Sequence, residues 1–370
     1  MTDLTTNSWH AGVQAGFGDS RVQELDEVIR EITGLRDLTE NAETTVVFLA
    51  GLRERAQRKL RAMVERETGT WAFIRLRDDE GDTVEYAIDE VTAAAEDDYA
   101  AAVAYPETHM RAVGWFLAHA WRFVDLAEDA FTSLGRWRVT SAAVSARAVL
   151  EEVGCLLEEA REIAEAWAQV KKTGAGAQRA TEVHKVMRPV LNKVDLSTRI
   201  AFDTKVQLPQ ARNVLTYVQK LAKRTRTAEV VTWYDWLSDA AHPAFGARIA
   251  LATPFLAHKS SAVAVRYMAR GPMHIAGADG RKSQDLDNTV AHMAADALAL
   301  SVRVGASVLW QALAVVDDIG LTTAAATFTQ RPYWRDFTPV KGNRPCPCGR
   351  GSWRTCGHHW GKPAPEITLP

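Results

Sequence analysis

Long stretches with helical periodicity are the feature that most constrains the fold of this chain. In each of them apolar residues, many of them alanine, recur every three or four positions, which is the pattern of an amphipathic helix. The pattern predicts helices at about residues 21–35, 42–67, 108–134, 139–172, 207–225, 228–240, 247–269 and 284–317. Helices of this length, joined by short breaks, favour a mainly α fold, a multi-helix bundle.

One segment does not follow the helical pattern. Residues 69–88 read GTWAFIRLRDDEGDTVEYAI, in which alternating apolar residues flank Asp-Glu-Gly-Asp. This alternation around a turn sequence predicts one small β-hairpin. The predicted organisation is a flexible N-terminus at 1–20, an N-terminal helical region with the hairpin at 21–106, a helical bundle at 107–328, a linker at 329–342, a cysteine-rich module at 343–361 and a tail at 362–370.

Composition narrows the class of protein. The chain has 370 residues, of which 47% are hydrophobic and 24% charged, so it can bury a large core. Its formal net charge of −2 does not mark the whole chain as a nucleic-acid binder. The N-terminus lacks a basic region followed by an apolar run, and no uninterrupted run of 18 apolar residues occurs. We therefore expect a soluble cytoplasmic protein without a signal peptide or a membrane span.

The cysteines are concentrated near the C-terminus. Cys346, Cys348 and Cys356 fall within eleven residues and two histidines follow, whereas Cys155 lies alone in an apolar helical stretch and is predicted to be an ordinary core residue. Thiolate and imidazole groups are the ligands that Zn²⁺ prefers in closed tetrahedral sites, and a loop this short cannot bury a core of its own. The pattern predicts a structural zinc site formed by the three clustered cysteines and His358.

The sequence around these residues, GNRPCPCGRGSWRTCGHHWG, resembles the SEC-C motif, a small zinc-binding module. The family pattern is Cys-x-Cys, eight residues, then Cys followed by Cys or His. Here seven residues separate Cys348 from Cys356, and Gly357 precedes His358, so His359 is the alternative fourth ligand. In the preprotein-translocase motor ATPase this module implies contacts with a chaperone and the ribosome. The resemblance, which covers about 20 residues, implies Zn²⁺ as cofactor and an adaptor role towards a protein or ribosome-associated partner.

Two helical segments could form a further site. Arg147 and Glu151 are four positions apart in a predicted helix, so they share one face of it. The second segment, WYDWLSDAAHP, ends in His242-Pro243. Because proline disfavours helical geometry in the preceding residue, we expect His242 where a helix ends. Arg147, Glu151 and His242 could form a buried polar cluster that holds helices together, a ligand or protein site, or a catalytic site.

These segments resemble a group of bacterial helical proteins with an Arg…Glu helix followed by Tyr-x-x-Leu-Ser-x-x-x-His-Pro, here Tyr234 to Pro243. That group is similar to the HEPN superfamily, four-helix bundles that include RNA-cleaving toxins. The resemblance implies an alternative function, a metal-independent ribonuclease of stress response or phage defence that uses Arg147 and His242. The superfamily signature is arginine, four to six residues, then histidine. No arginine precedes His242 at that distance; outside the cysteine-rich module, Arg179 and His184 have the spacing.

Two runs of charge complete the pattern. Residues 78–98, the acidic run, carry ten acids and no Lys or Arg, and residues 171–226, the basic run, carry thirteen Lys and Arg against three acids. Such runs predict two solvated faces of opposite sign, which could face each other. The alternative is that the basic run contacts RNA phosphates.

Overall fold

The structure is a computed structural model of the chain. It describes Trp9 and residues 11–44, 72–77, 83–88, 99–173, 177–198, 209–243, 245–252, 256–257, 264–265, 268, 270–271, 289–323 and 366–368. Most of these residues are helical, which confirms the predicted mainly α class.

The helices differ widely in length. They are α1 (Ala11–Phe17), α2 (Asp19–Arg30), α3 (Thr33–Thr39), α4 (Tyr99–Gly135), α5 (Val139–Lys172), α6 (Ala177–Glu182), α7 (Arg188–Leu196), α8 (Val214–Thr225), α9 (Glu229–Ala241), α10 (Phe245–Ile249) and α11 (Thr289–Thr323), with a π-helical turn (Val183–Met187) between α6 and α7. The longest, α4, α5 and α11, are rich in alanine, which has the highest helix propensity.

The strands are short. They are β1 (Ala72–Arg77), β2 (Thr83–Ile88), β3 (Leu256–Ala257), β4 (Ala264–Val265) and β5 (Glu366–Thr368). β1 pairs antiparallel with β2 and parallel with β5, and β3 pairs antiparallel with β4. The turn of the predicted hairpin, residues 78–82, lies outside the described residues, so the hairpin as a whole stays a prediction.

The chain divides into two compact units. The first unit comprises residues 1–42, 119–158 and 212–308, and the second comprises 43–118, 159–211 and 309–370. The helices α4, α5 and α11 each contribute one part to each unit.

The core of the first unit is built from the apolar stripes of its helices. Along α2 the residues Val22, Leu25, Val28 and Ile29 are buried, which is the i, i+3, i+6, i+7 pattern of one helix face. Close packing is also visible at Gly305 of α11. A Cβ atom there would lie 2.4 Å from the ring of Phe123 in α4 and 2.9 Å from the side chain of Val153 in α5. This position therefore admits only glycine without a shift of its neighbours.

Three helix predictions need correction. The N-terminal segment predicted to be flexible contains α1, whose Val13 and Phe17 are buried, so it packs as an amphipathic helix despite its glycines. The helix predicted at 247–269 is wrong. There α10 ends at Ile249, and β3 and β4 follow. The pairing of β3 with β4, which helical periodicity in the sequence does not specify, takes the place of the predicted helix. The helix predicted from residue 207 begins at Val214.

Other predicted elements were found, missed or not described. The predicted helix at 139–172 agrees with α5 at both ends. The helices α6 and α7 lie in a part of the basic run for which no helix was predicted. The helix predicted at 42–67 falls almost entirely outside the described residues, as do the linker and the cysteine-rich module.

One helix has the length and composition of a membrane span. Thr289–Gly320, within α11, contains an 18-residue window with a mean hydropathy of 1.6, and half of that window is buried inside the protein. A core helix of a soluble protein meets the same criterion, so this property does not distinguish the two situations.

The packing at Gly305 leads to a testable prediction. Gly305→Ala should lower the free energy of unfolding by about 1–3 kcal/mol, because the added methyl group overpacks against Phe123 and Val153. Gly16→Ala is the matched control. A Cβ at this α1 position would lie 3.5 Å from the nearest atom, an ordinary contact, so stability should stay equal or rise. Urea unfolding measures both, and a Gly305→Ala variant as stable as the wild type would contradict the packing.

Candidate functional site

Arg147 connects α5 to α9 in the first unit. Its Nε donates a hydrogen bond to Oε1 of Glu151 at 2.9 Å. A terminal nitrogen lies 3.5 Å from the hydroxyl of Tyr234, and the guanidinium carbon lies 5.3 Å from the centre of that ring. Both charged side chains are about a quarter exposed. The pair predicted from the sequence is therefore formed, and it bonds across to the tyrosine of the Tyr-x-x-Leu-Ser pattern.

His242 lies where the sequence places it, at the end of α9. Its backbone is extended, with φ −87° and ψ 141°, and its side chain is exposed. A Cβ at Gly246 would lie 2.3 Å from Asp239, so the chain turns back tightly onto α9 directly after the His-Pro pair. The pattern thus ends one helix and starts a close turn into α10.

The structure does not join His242 to the other two predicted residues. Within the described part of the chain, no hydrogen bond or ion pair connects its side chain to Arg147 or Glu151. Tyr234, which contacts Arg147, precedes His242 by eight residues, or about 12 Å along a helix axis. Arg147 and Glu151 form one cluster, and His242 lies apart from it.

A second cluster in the first unit escaped the sequence analysis. Nδ1 of His119 lies 2.5 Å from Oε1 of Glu152, and Nε of Arg122 donates to Oε2 of the same carboxylate at 2.8 Å. Glu152 is buried, whereas the Arg122 side chain is 58% exposed. A carboxylate on one ring nitrogen fixes the orientation of an imidazole, as in sites that use histidine for acid–base chemistry. The sequence signal was weak, because only His119 and Arg122 share a helix.

Glu158 of α5 is an acid with a strongly perturbed pKa. Its side chain is fully buried and accepts hydrogen bonds from Lys220 at 2.7 Å and Arg224 at 2.6 Å, both from α8. Burial opposes its ionisation, but the two hydrogen bonds outweigh burial and lower the pKa of Glu158 to about 2. Gly154 lies in α5 one helical turn before Glu158. A Cβ atom at Gly154 would lie 3.0 Å from the backbone of Tyr217, so α8 approaches α5 closely at this point.

The basic run is therefore partly neutralised. Besides the α8 pair on Glu158, Lys193 bonds to Glu162 at 2.5 Å and Lys171 bonds to Asp318 at 2.7 Å in the second unit. These acids belong to α5 and α11, not to the acidic run, whose side chains lie outside the described residues. The prediction that the two runs face each other therefore stays a prediction, and several cations of the basic run already have other partners.

The core of the second unit contains a charged group that the sequence analysis also missed. Arg111 of α4 is 2% exposed, and two of its nitrogens lie 2.9 and 2.8 Å from Oδ2 of Asp195. Glu107 is equally buried, at 3.5 Å from a third nitrogen. A buried arginine of this kind requires compensating acids, because desolvating an unpaired charge is costly. The three residues tie α4 to α7.

Arg179 and His184, the pair with the HEPN-type spacing, lie on a helix with an irregular turn. Arg179 belongs to α6 and His184 to the π-helical turn, in which the backbone N–H of Arg188 donates to the carbonyl of Val183. The Nε of Arg179 and the Nδ1 of His184 are both inaccessible and have no hydrogen-bond partner in the described structure. π-helical turns are rare and occur frequently at functional sites.

The predicted zinc ligands Cys346, Cys348, Cys356 and His358 lie outside the described residues, as does the alternative ligand His359. Among the residues that the structure does describe, no group of three His, Cys, Asp or Glu side chains could hold a metal ion. Cys155 is half-buried, so the fourth cysteine packs less deeply than an ordinary core residue.

Comparison with known proteins adds no assignment. No protein-family model, no curated protein and no solved structure matches the chain.

The low pKa of Glu158 leads to a prediction about acid stability. The pKa of this carboxylate is near its ordinary value of 4.5 when the chain is unfolded and about 2 when it is folded. Its contribution of about 3 kcal/mol to the free energy of unfolding is therefore present above pH 4.5 and is lost as the pH falls towards 2. Glu158→Gln should remove this contribution, so wild type and variant should differ most at neutral pH and converge in acid. Urea unfolding at several pH values measures the difference.

The matched control for this experiment is Glu165→Gln. Glu165 is paired with Arg161 but is 63% exposed, so its loss should change stability by no more than about 0.5 kcal/mol at any pH. A Glu158→Gln variant that behaves like this control would contradict the buried pairing.

Proposed function

We propose that the chain is a zinc-stabilised adaptor of the cytoplasm, in which a helical scaffold presents a C-terminal SEC-C-like module to a protein or ribosome-associated partner. The module comprises residues 343–361, and the hairpin around residues 78–82 belongs to the same proposed architecture. Cys346, Cys348, Cys356 and His358 would hold the Zn²⁺ ion. Three thiolates and one imidazole fit a closed structural zinc site, whose chemistry is to order the loop around it.

One observation supports binding over catalysis. Arg147 is already occupied by Glu151 and Tyr234, and His242 is exposed at a helix end without a described bond to either charged residue. A base and a phosphate-holding cation need to reach one substrate group together, which this separation does not favour. The ion pairs within the basic run likewise favour a protein contact over RNA binding as the main interaction.

The zinc site is testable with a control that the chain itself supplies. Purified without chelator, the wild type should carry one zinc ion per chain, and Cys346→Ser/Cys348→Ser should carry much less than one, because two of four ligands are lost. Cys155→Ser, which removes the remaining cysteine from α5, should keep full zinc content. Mass spectrometry of the metal measures all three. His358→Ala and His359→Ala then identify the fourth ligand.

The same variants test the adaptor function. In sucrose gradients of cell extract, wild type and Cys155→Ser should migrate with a larger partner, such as the ribosome, and the zinc-free variant should stay with free protein. If zinc binds as expected but both forms migrate as free protein, the adaptor role is wrong while the metal site stands.

A ribonuclease is the second candidate, and the π-helical turn is the observation that favours it. Arg179 and His184 have the HEPN-type spacing and carry buried nitrogens without described partners. In such a site a histidine takes the proton of the ribose 2′-hydroxyl. The freed oxygen attacks the neighbouring phosphorus, and the 5′-oxygen leaves and is protonated. An arginine stabilises the charge that develops on the phosphate.

This alternative predicts which histidine matters. Expression of a ribonuclease should degrade total RNA and arrest growth, and His184→Ala should abolish both while keeping the melting temperature of the wild type. The equivalent result for His242→Ala would assign the activity to the site with Arg147 instead. RNA that stays intact with wild type and both variants would contradict the ribonuclease and favour the adaptor.

A further inference from the structure

The C-terminal end of α4 has an uncommon backbone conformation. The N–H of Trp137 donates to the carbonyl of Leu134 at 2.9 Å, and the N–H of Arg138 donates to Ser133 at 2.8 Å. These two bonds define a Schellman motif, whose first residue after the helix cap adopts the left-handed conformation and is usually glycine. Here that residue is Trp137, with φ 53°. A bulky residue in this region is a true outlier.

Contacts in the first unit hold Trp137 in this conformation. Its ring centre lies 5.7 Å from that of Phe17, with the planes tilted by 56°, and the side chain stays partly exposed. Such strain persists only where the surroundings enforce it, and it is concentrated at ligand-binding and active sites. The strained residue lies between two arginines, Arg136 and Arg138, whose side chains are exposed.

These residues line a cleft of about 1030 Å³ that is open to solvent. Arg270 lines it from the other side, after the antiparallel bridge between Ala252 and Met268 has returned the chain to this point. The described lining contains the three arginines and no acid, and none of the three guanidinium groups has a described ion pair or hydrogen bond. The described lining of the cleft therefore carries three positive charges without a described acid to pair with them.

The remaining wall is apolar and aromatic. Trp137, Leu251 and Met268 line it, and Thr140 and Ser141 add two hydroxyl groups from the first turn of α5. Leu251 and Met268 are exposed, which for Met268 means 61% of its surface. Unpaired arginines suit a phosphate group, because the guanidinium forms paired hydrogen bonds with its oxygens. A half-exposed tryptophan beside apolar side chains suits a planar organic body.

We propose that this cleft binds a nucleotide or a closely similar phosphate ester. Arg136, Arg138 and Arg270 hold the phosphates, and Trp137 with the neighbouring apolar wall contacts the base. The volume of the cleft is large enough for a whole small molecule and much larger than a single inorganic ion requires. This site is independent of the zinc module and of the adaptor function.

Isothermal titration of the full chain with ADP at low salt tests the proposal. ADP should bind one to one, and both adenosine and pyrophosphate should bind at least about tenfold more weakly, because each supplies only half of the contacts. Added salt should weaken ADP binding, since the phosphate contacts are electrostatic. The absence of ADP binding, or pyrophosphate binding as tight as that of ADP, would overturn the proposal.

Variants connect the binding to this cleft. Arg138→Gln/Arg270→Gln should weaken ADP binding by about tenfold or more while leaving the melting temperature unchanged, because both side chains are exposed and unpaired. Lys223→Gln, an exposed cation on α8, is the matched control and should bind ADP like the wild type. Equal affinity in the double variant and the control would overturn the assignment. So would a short single-stranded RNA that binds this cleft more tightly than ADP, because the ligand would then be a nucleic acid.

Discussion

The described structure depends on the hydrogen bonds and ion pairs that the carboxylates of α5 accept from other side chains. Each of Glu151, Glu152 and Glu158 in the first unit accepts hydrogen bonds from one or two cationic side chains, drawn from α5, α4 and α8 respectively. In the second unit Glu159 accepts a bond from Trp115 of α4, and Glu162 pairs with a lysine of α7. A helix that carries this many acids at its packed faces needs donors for them, because burying an unpaired carboxylate is costly. The pairs therefore fix which helices can pack against α5.

This use of charge limits what the helical part can do chemically. The cations that look most suited to holding a phosphate are committed to carboxylates, as Arg147 is to Glu151 and Arg224 is to Glu158. The described arginines without partners lie elsewhere, and three of them line the cleft beside Trp137. In the adaptor that we propose, the paired helices would be the stable scaffold and the C-terminal module the separate contact surface.

The sequence predicted the parts of the fold that depend on interactions between residues close together in the chain. The periodicity of residues 139–172 and the proline after His242 marked both ends of α5 and the end of α9, because these depend on neighbouring residues alone. The helix predicted at 247–269 was wrong, because β3 and β4 are set by pairing across the chain, which the periodicity of a single segment does not specify. The His119–Glu152 contact joins residues 33 positions apart, and no local pattern specifies it. Trp137 was equally hidden, because its left-handed conformation is one for which glycine is the usual signal.

A double-mutant cycle on Glu158 and Arg224 tests the central claim most directly, that the α5 carboxylates hold their neighbours in place. The free energies of unfolding of the wild type, Glu158→Gln, Arg224→Gln and the double variant give the coupling between the two side chains. A coupling of about 1–3 kcal/mol is expected for a buried, hydrogen-bonded pair. A coupling near zero would contradict the account, because α8 would then pack against α5 without help from this charge.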